Sequence, residues 1–289
     1  MSAMQAALTG ALLGGLYAVM AAGLSVTWGM LKIINLAHFG MILLSGYLTF
    51  EMASSWGIDP ILTVLLTAPL MFLLGAGLQW LYDRTRVVEL SSLLVSFGIL
   101  IIMIQGVHNT WSADFQRMSA QVNPYATRSL PLGGLRFPVP TLLAFVFGVV
   151  LIVAAYLLLQ RTFLGRAVRA FAEDRAVSAA FGIDHRRLGM LVAGASGATA
   201  AVAGMLVALN YALTPDASFG WFGIVFAVVI LGGIGQLLGT LAAGVLVGAL
   251  SGVVSLWWET TAAPLVLFSA IILALLFRPR GLFVRVASR

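Results

Sequence analysis

The sequence predicts an all-α, polytopic membrane protein, and three observations lead to that fold class. The 289 residues are 61% hydrophobic and only 9% charged, whereas about 25% of the residues in an average soluble domain are charged. The mean hydropathy is +1.04. Apolar runs of about 18 residues or more, which are typical of membrane-spanning helices, recur along most of the chain. We therefore expect a single transmembrane domain over residues 1–289.

Nine apolar stretches predict the membrane-spanning helices. They cover residues 4–29, 36–53, 60–81, 91–108, 139–159, 189–212, 221–237, 240–258 and 263–277. Several are rich in glycine and closely spaced. One or two of these stretches could therefore form re-entrant or broken helices instead of crossing the membrane fully.

The positions of the basic residues predict the orientation. The first Lys or Arg is Lys32, behind the first span, so we expect the N-terminus outside and, after nine crossings, the C-terminus in the cytoplasm. Only three of the 16 basic residues, Arg117, Arg128 and Arg136, then lie outside. The net charge of +6 therefore reflects membrane topology and not nucleic-acid binding, since no basic patch is interleaved with aromatic residues.

The sequence lacks the residues that several kinds of chemistry require. There is no cysteine, and the spans contain essentially no Asp, Glu, Lys or Arg, the groups that ion-coupled carriers usually bury. No paired carboxylates, zinc-ligand motif or phosphate-binding glycine loop is present. We expect no catalytic residue, metal site or bound cofactor, and any ATP must be bound by another chain. A passive channel, an assembly protein and a transporter driven by a partner all remain open.

Two connections are long enough to carry function. The predicted outside connection, 109–138, contains Pro124, Pro131 and Pro138, which indicate turns. The predicted inside connection has apolar residues at a spacing of three to four over about 164–182, which predicts an amphipathic helix on the membrane surface. Gly182 stands where a left-handed residue would end that helix.

Three groups of segments carry a family resemblance. The first is residues 28–40 (WGMLKIINLAHFG), followed by Gly46 and Tyr47; the second is 166–174 (RAVRAFAED) with 179–184 (AAFGID); the third is 227–239 (AVVILGGIGQLLG) with 278–283 (RPRGLF). In this order they resemble the permease subunits of branched-chain amino-acid type ABC importers, and the resemblance covers about residues 10–283. Phe39 stands where that family often has glycine.

The resemblance implies a function and a set of partners. The length is similar to the shorter of the family's two permease types, which forms half of a pore with a homologous second permease, or with a second copy of itself. Two cytoplasmic ATPases, which bind ATP and Mg, and an extracytoplasmic binding protein complete such importers in the bacterial inner membrane. The expected substrates are small zwitterionic or polar solutes, above all branched-chain amino acids, although relatives import urea, amides or aromatic acids. The alternative is a passive channel for a small neutral solute such as urea or an amide.

The amphipathic segment is identified through the resemblance as a coupling helix that docks on the ATPase. Its rim charges would be Arg166, Arg169, Glu173 and Asp174; its packed face would be Phe171, Ala172 and Phe181, with Gly182 at the end. The alternative is an ordinary interfacial helix whose basic residues pair with anionic lipid. The absence of a nucleotide-binding motif in this chain favours the coupling helix.

The remaining candidates concern the translocation pathway and helix packing. The pathway or gate candidates are Asn35, His38, Gly40, Gly232, Gly233 and Gly235, and the helix-packing candidates are Gly244, Gly248 and Gly252. Asn35 and His38 could instead hold the shape of an irregular turn, which we favour. Tyr17, Asn210 and Tyr211 fit either the pathway or the interfacial aromatic belt. Glycine-broken segments around 35–47 and 221–239 suggest an internal repeat.

Overall fold

The computed structural model describes residues 3–85, 89–132 and 134–257, together with residues 268, 269, 272 and 276. Its regular elements are α1 (Ala3–Val26), which continues into a π-helical turn (Thr27–Leu31), α2 (Ala37–Trp56), α3 (Val64–Thr85), α4 (Glu89–Trp111), β1 (Ser129–Leu132), β2 (Leu135–Pro138), α5 (Val139–Arg161), α6 (Phe163–Glu173), α7 (Arg175–Ala180), α8 (His185–Asn210), α9 (Ala217–Gly232) and α10 (Leu237–Trp257). The predicted span 263–277 lies almost wholly outside the described residues, as does the segment 278–283.

Six of these helices are long and apolar enough to cross a membrane. They are α1 with its π turn, α3, α4, α5, α8 and α10. The all-α, multi-pass fold is therefore confirmed. Helix α9 has 16 residues, about 24 Å at 1.5 Å per residue, which is shorter than the roughly 30 Å hydrocarbon core. The number of crossings and the orientation of the termini stay predictions.

Helices α1, α2 and α8 form the centre of the bundle. The most apolar 18-residue windows of α1 and α8 are 67% and 72% buried, whereas that of α5 is only 17% buried. The largest fully buried side chains include Phe39 and Tyr47 of α2. Because the peripheral helices α3, α4 and α5 turn apolar side chains outward, they are suited to contact with lipid or a partner subunit.

The predicted packing glycines lie where α10 meets α1. A Cβ atom on Gly248 would stand 2.3 Å from the carbonyl oxygen of Gly10, and one on Gly14 would stand 2.3 Å from that of Gly244. Gly252 approaches Ala6 and Gly10 in the same way. Only glycine fits between backbones this close, and such contacts drive helix association in membranes through van der Waals packing.

Helices α3 and α8 form a second contact of the same kind. A Cβ atom on Gly75 would lie 2.3 Å from the carbonyl oxygen of Ala193, and one on Gly197 would lie 2.0 Å from that of Met71. The pairs α1–α10 and α3–α8 have the most extensive contacts in the described chain. If α1, α2 and α3 correspond to α8, α9 and α10, then the contact of α1 with α10 is equivalent to the contact of α8 with α3. This pattern agrees with the internal repeat suggested by the sequence.

The connection between α4 and α5 folds as a cap over one end of the bundle. Strands β1 and β2 form an antiparallel hairpin, and Gln116 pairs with Leu213 behind α8. The Tyr125 hydroxyl donates a 2.8 Å hydrogen bond to Asp59, which lies between α2 and α3. Burial raises the pKa of the Tyr125 phenol, and the Asp59 carboxylate raises it further. The turn-rich connection predicted from the prolines is thus anchored to the bundle at Leu213 and at Asp59.

The amphipathic segment predicted as one helix over 164–182 is divided into α6 and α7. Asp174 has extended backbone angles (φ −149°, ψ 112°), and its Oδ1 accepts a 3.0 Å hydrogen bond from the amide of Val177. The carboxylate therefore caps the first turn of α7, a position that Asp favours over a helix interior. The prediction of a single helix is therefore wrong, because the segment forms two short helices with a bend between them.

Substitutions at two glycines of α3 test the close contact with α8. Gly75→Ala places a methyl group against the Ala193 carbonyl, and we expect it to destabilise the protein by about 1–3 kcal/mol through overpacking. Gly77→Ala is the matched control, because a Cβ atom at Gly77 meets nothing within 4 Å. Thermal unfolding in detergent measures both. Equal melting temperatures for the two variants would contradict the packing described here.

Candidate functional site

The α5–α8 connection is attached to the bundle by one apolar face of α6. Thr162 caps the helix, its Oγ1 accepting a 3.0 Å hydrogen bond from the Gly165 amide. Val168 and Phe171 are 1% and 4% exposed. They pack in a small cluster with residues from the π turn, α3 and α8, among them Leu31, Tyr82, Leu188 and Val192. Helix α6 is therefore fixed to the membrane helices as a rigid attachment.

This arrangement corrects the predicted role of Phe171. The sequence placed Phe171 on a face available to a partner, but its ring is buried and lies 5.2 Å from the ring of His185. The physical reason is that apolar residues on both sides of the Asp174 bend had been assigned to one continuous face. Ala172 is half-buried beside it.

Other apolar side chains of the same connection point away from the bundle. Phe163, Val177 and Phe181 are 79%, 53% and 83% exposed. Gly182 has φ +79° and ends α7, since its amide bonds to Ala179 and that of Ile183 bonds to Ser178, the double hydrogen bond of a Schellman motif. We call Phe163, Val177 and Phe181 the exposed apolar surface. Sequence reasoning missed Phe163, because it precedes the periodic stretch.

The four charged residues predicted for the rim of the coupling helix differ in their exposure and in their hydrogen bonds. Arg166 and Glu173 are exposed, and the Arg166 guanidinium lies 5.7 Å from the Phe163 ring centroid. Arg169 donates to the carbonyl oxygen of Leu159 and, at 3.3 Å, to Gln160, so it ties α6 to the end of α5. Asp174 caps α7. Arg166 and Glu173 are thus the pair best placed to meet a partner.

Asn35 and His38 lie deep in the bundle and apart from the surface. His38 is fully buried; its Nε2 lies 3.0 Å from the Met20 carbonyl oxygen and its Nδ1 lies 3.4 Å from Ser196 Oγ. Since a carbonyl only accepts, Nε2 carries the proton. The Ser196 hydroxyl lies beside Nδ1 and donates its proton to the Gly23 carbonyl oxygen at 3.0 Å. His38 therefore joins α1, α2 and α8. Asn35 is 4% exposed, and its Oδ1 accepts no hydrogen bond from the residues that the structure describes.

Gly40 and Phe39 lie next to His38 but face different helices. Gly40 faces Met103 and Leu100 of α4. Phe39, the residue that departs from the family's glycine, is fully buried and its ring centroid lies 4.4 Å from that of Phe222 and 6.3 Å from that of Phe226, both in α9. The large ring therefore fills the contact between α2 and α9.

The three glycines between α9 and α10 form a tight turn against α1. Gly233 and Gly235 have φ +91° and +80°, which an L side chain rarely adopts, and Gly235 packs on Gly29 of the π turn. The Gly235 amide donates a 3.0 Å hydrogen bond to Ser25 Oγ. Gly232 faces Thr240 in α10. These residues lie together, whereas Gly40 faces away from them.

A cavity of about 450 Å³ brings one gate candidate and one coupling candidate together. Its lining includes Arg169 of α6 and Gly235 of the α9–α10 turn, along with Met30, Tyr156, Gln160 and Gln236. Arg169 had been assigned from the sequence to a partner surface, and Gly235 to the pathway. In the fold, Arg169 and Gly235 line the same cavity.

A second cavity, of about 290 Å³, lies at the opposite end of α8. We call it the capped cavity, because the α4–α5 connection covers it. It is lined by Leu13, Arg117, Met118, Asn123, Ala126, Pro138, Pro140, Thr141, Ala208, Leu209, Asn210 and Tyr211. From the sequence, Asn210 and Tyr211 were assigned either to the translocation pathway or to the interfacial aromatic belt. Arg117 and Asn123 were missed, since they are distant from α8 in sequence.

Replacing His38 tests whether its role is structural. His38→Ala removes the ring that joins three helices, together with its hydrogen bond to the Met20 carbonyl, so we expect a loss of about 1–3 kcal/mol of stability. His108→Ala is the control, because His108 is exposed on α4. Thermal unfolding and transport are measured on both. A His38→Ala protein with unchanged stability and altered transport would instead favour the gate.

Comparison with known proteins identifies the family. A family model described as the permease component of branched-chain amino acid transport systems matches residues 6–277. The chain is 26% identical to the high-affinity branched-chain amino acid transport system permease protein BraD of Pseudomonas aeruginosa, over 98% of this chain and 96% of that protein. The permease protein LivH of Escherichia coli K12 gives the same identity and coverage.

A more distant relative extends the likeness to an archaeon. The probable branched-chain amino acid transport permease protein LivH of Methanocaldococcus jannaschii is 26% identical over 81% of this chain and 75% of its own length. No solved structure matches the chain. The alternative of a passive channel gains no support from these relatives, each of which is named as a transport permease. The chain therefore belongs to the family of permease components of branched-chain amino acid transport systems, and it is a permease subunit of an ABC importer.

Proposed function

We propose that this chain forms half of the pore of an ATP-driven importer of branched-chain amino acids in the bacterial inner membrane. Its partners are a homologous second permease or a second copy of itself, two cytoplasmic ATPases that bind ATP and Mg, and an extracytoplasmic binding protein. The α6–α7 connection faces the cytoplasm and the α4–α5 cap faces outward. The chain performs no catalytic chemistry of its own.

The observation that carries this proposal is the exposed apolar surface on α6–α7. Three large apolar side chains, Phe163, Val177 and Phe181, project from a segment that lies outside the membrane-spanning helices. Exposed apolar patches rimmed by polar groups mark protein interaction sites. Arg166 and Glu173 supply such a rim. Val168 and Phe171 are buried against the bundle on the other face of α6, so the exposed apolar surface is separate from the face that attaches the segment.

The attachment of α6 supports a mechanism for coupling. Its inner face packs on the π turn, α3 and α8 through Val168 and Phe171. Arg169 links it to the end of α5 and faces the cavity that Gly235 also lines. A displacement of α6 by closing ATPases therefore reaches four membrane helices and the α9–α10 turn at once, which tilts the helices around the pore.

Transport of a zwitterion agrees with the charge distribution of the spans. Fixed unpaired charges along a route would bind one end of a zwitterionic solute and hold it. Within the described helices, buried polar groups are neutral, such as Ser25, Ser45, Thr49 and Thr240. The free energy for uphill transport then comes from ATP on the partner chains and not from an ion carried by this chain.

Substituting Phe181 tests the docking surface. Phe181→Asp places a charge where the proposal puts an apolar contact, so we expect loss of the co-purified ATPase and at least a tenfold fall in ATP-driven uptake. Phe115→Asp is the matched control, because Phe115 is 81% exposed, against 83% for Phe181, and lies on the α4–α5 cap. Pull-down in mild detergent reports ATPase association. If both variants retain the ATPase, the docking surface is assigned wrongly.

Uptake by the reconstituted complex tests the substrate and the energy source. In proteoliposomes that contain both permeases, the ATPases and the binding protein, we expect leucine to accumulate against its gradient only with ATP inside the cytoplasmic compartment. Isoleucine and valine should compete, and urea should not. Leucine entry that persists after ATP depletion would favour a passive pore, and accumulation driven by a sodium or proton gradient would favour an ion-coupled carrier.

A further inference from the structure

The residues that line the capped cavity have no role in the mechanism proposed above. Three elements form the cavity: the end of α8, the start of α5 and the α4–α5 cap, with Leu13 of α1 at its floor. The Asn210 Nδ2 group donates to the Pro140 carbonyl oxygen at 3.2 Å, which holds the ends of α8 and α5 together. Its volume of about 290 Å³ is close to the roughly 300 Å³ at which small-molecule pockets begin.

The cavity has a single charged group among the described residues that line it. That group is the guanidinium of Arg117, which takes part in no hydrogen bond or ion pair within the described part of the chain. An arginine presents several fixed N–H donors suited to a planar carboxylate. The other two basic residues of the cap, Arg128 and Arg136, do not line the cavity. Arg117 is thus a cation without a counter-ion at the edge of a polar space.

A hydrogen-bond acceptor lines the same cavity. Asn210 donates through Nδ2 to the carbonyl oxygens of Leu206, at 2.8 Å, and Pro140. These two acceptors fix which end of the amide is nitrogen, so Oδ1 is left as an acceptor, and it receives no hydrogen bond from the described residues. Asn210 is also the last residue of α8, where the partial negative charge of the helix end favours a cation.

Part of the remaining lining is apolar, alongside the polar residues Asn123, Thr141 and Tyr211. Leu13, Met118, Ala208 and Leu209 provide surface for an aliphatic group. Ligand pockets typically combine such a surface with a few polar groups that fix orientation. A cation, an unused acceptor and an aliphatic surface together match the three parts of an aliphatic amino acid: its carboxylate, its ammonium group and its side chain.

We propose that the capped cavity is a binding site for a zwitterionic aliphatic amino acid within the permease itself. The carboxylate lies toward Arg117, the ammonium group toward Asn210 Oδ1 and the end of α8, and the side chain against Leu13 and Met118. The identity of the solute rests on the proposed function. The site holds the amino acid after it leaves the binding protein and before it enters the pore.

The test is photolabelling of the permease–ATPase complex in nanodiscs, without the binding protein, by a diazirine analogue of leucine. We expect labelled peptides from the lining, such as those with Met118 or Leu209, and competition by leucine but not by leucinol, which lacks the carboxylate. Arg117→Gln should reduce labelling at least tenfold. Arg128→Gln, on the same cap but outside the lining, should leave it unchanged.

A second pair of variants fills the cavity without removing a polar group. Ala126→Trp places a large ring in the lining and should abolish labelling, whereas Ala120→Trp, exposed elsewhere on the cap, should not. Labelling outside the lining, equal losses in the paired variants, or full competition by leucinol would each overturn the inference. ATP-driven leucine uptake by the wild-type complex separates the two proposals: uptake without cavity labelling refutes only this site, and labelling without uptake refutes only the proposed function.

Discussion

The close approach of α1 to its neighbours is the constraint on which the rest of this structure depends. Three glycines of α1 face four different helices: Gly14 meets α10, Gly15 meets α5, and Gly23 meets His38 of α2 and Thr199 of α8. In a membrane no hydrophobic force drives helices together, so association relies on dispersion contacts and interhelical hydrogen bonds. Both fall off steeply with distance. A larger side chain at any of these glycines would move a helix that also shapes the α9–α10 turn or the capped cavity.

The end of α1 is irregular, whereas the rest of the helix packs tightly on its neighbours. The helix passes into a π turn at Thr27–Leu31, a geometry frequent at functional sites. Lys32 then adopts φ +58°, an uncommon angle for a residue with a side chain. Gly29 of this turn contacts Gly235, and Leu31 packs in the cluster that holds α6. Helix α6 and the α9–α10 turn therefore meet at the same end of one central helix.

The capped cavity and the interior of the bundle differ in their polar groups. Arg117 of the capped cavity takes part in no hydrogen bond or ion pair within the described part of the chain, and an arginine is suited to binding a carboxylate. Deeper in the bundle, the described buried polar side chains are neutral, and several bond to main-chain carbonyl groups, as in the hydrogen bonds of Ser45 to Ala201 and of Ser196 to Gly23. Under the proposed function, a solute would meet no fixed charge among these described residues.

The sequence by itself determined what depends on local pattern: the all-α membrane fold from apolar runs, a helix-packing face from the spacing of Gly244, Gly248 and Gly252, and the family from short motifs. Only the tertiary structure decided which way side chains face and which distant residues meet. Periodicity made Phe171 and Phe181 equivalent, but the Asp174 bend turns one inward and the other outward. Asn123 meets Leu209 across 86 positions, and no local signal encodes such a pairing, because side chains of separate helices and loops are brought together by packing and not by sequence spacing.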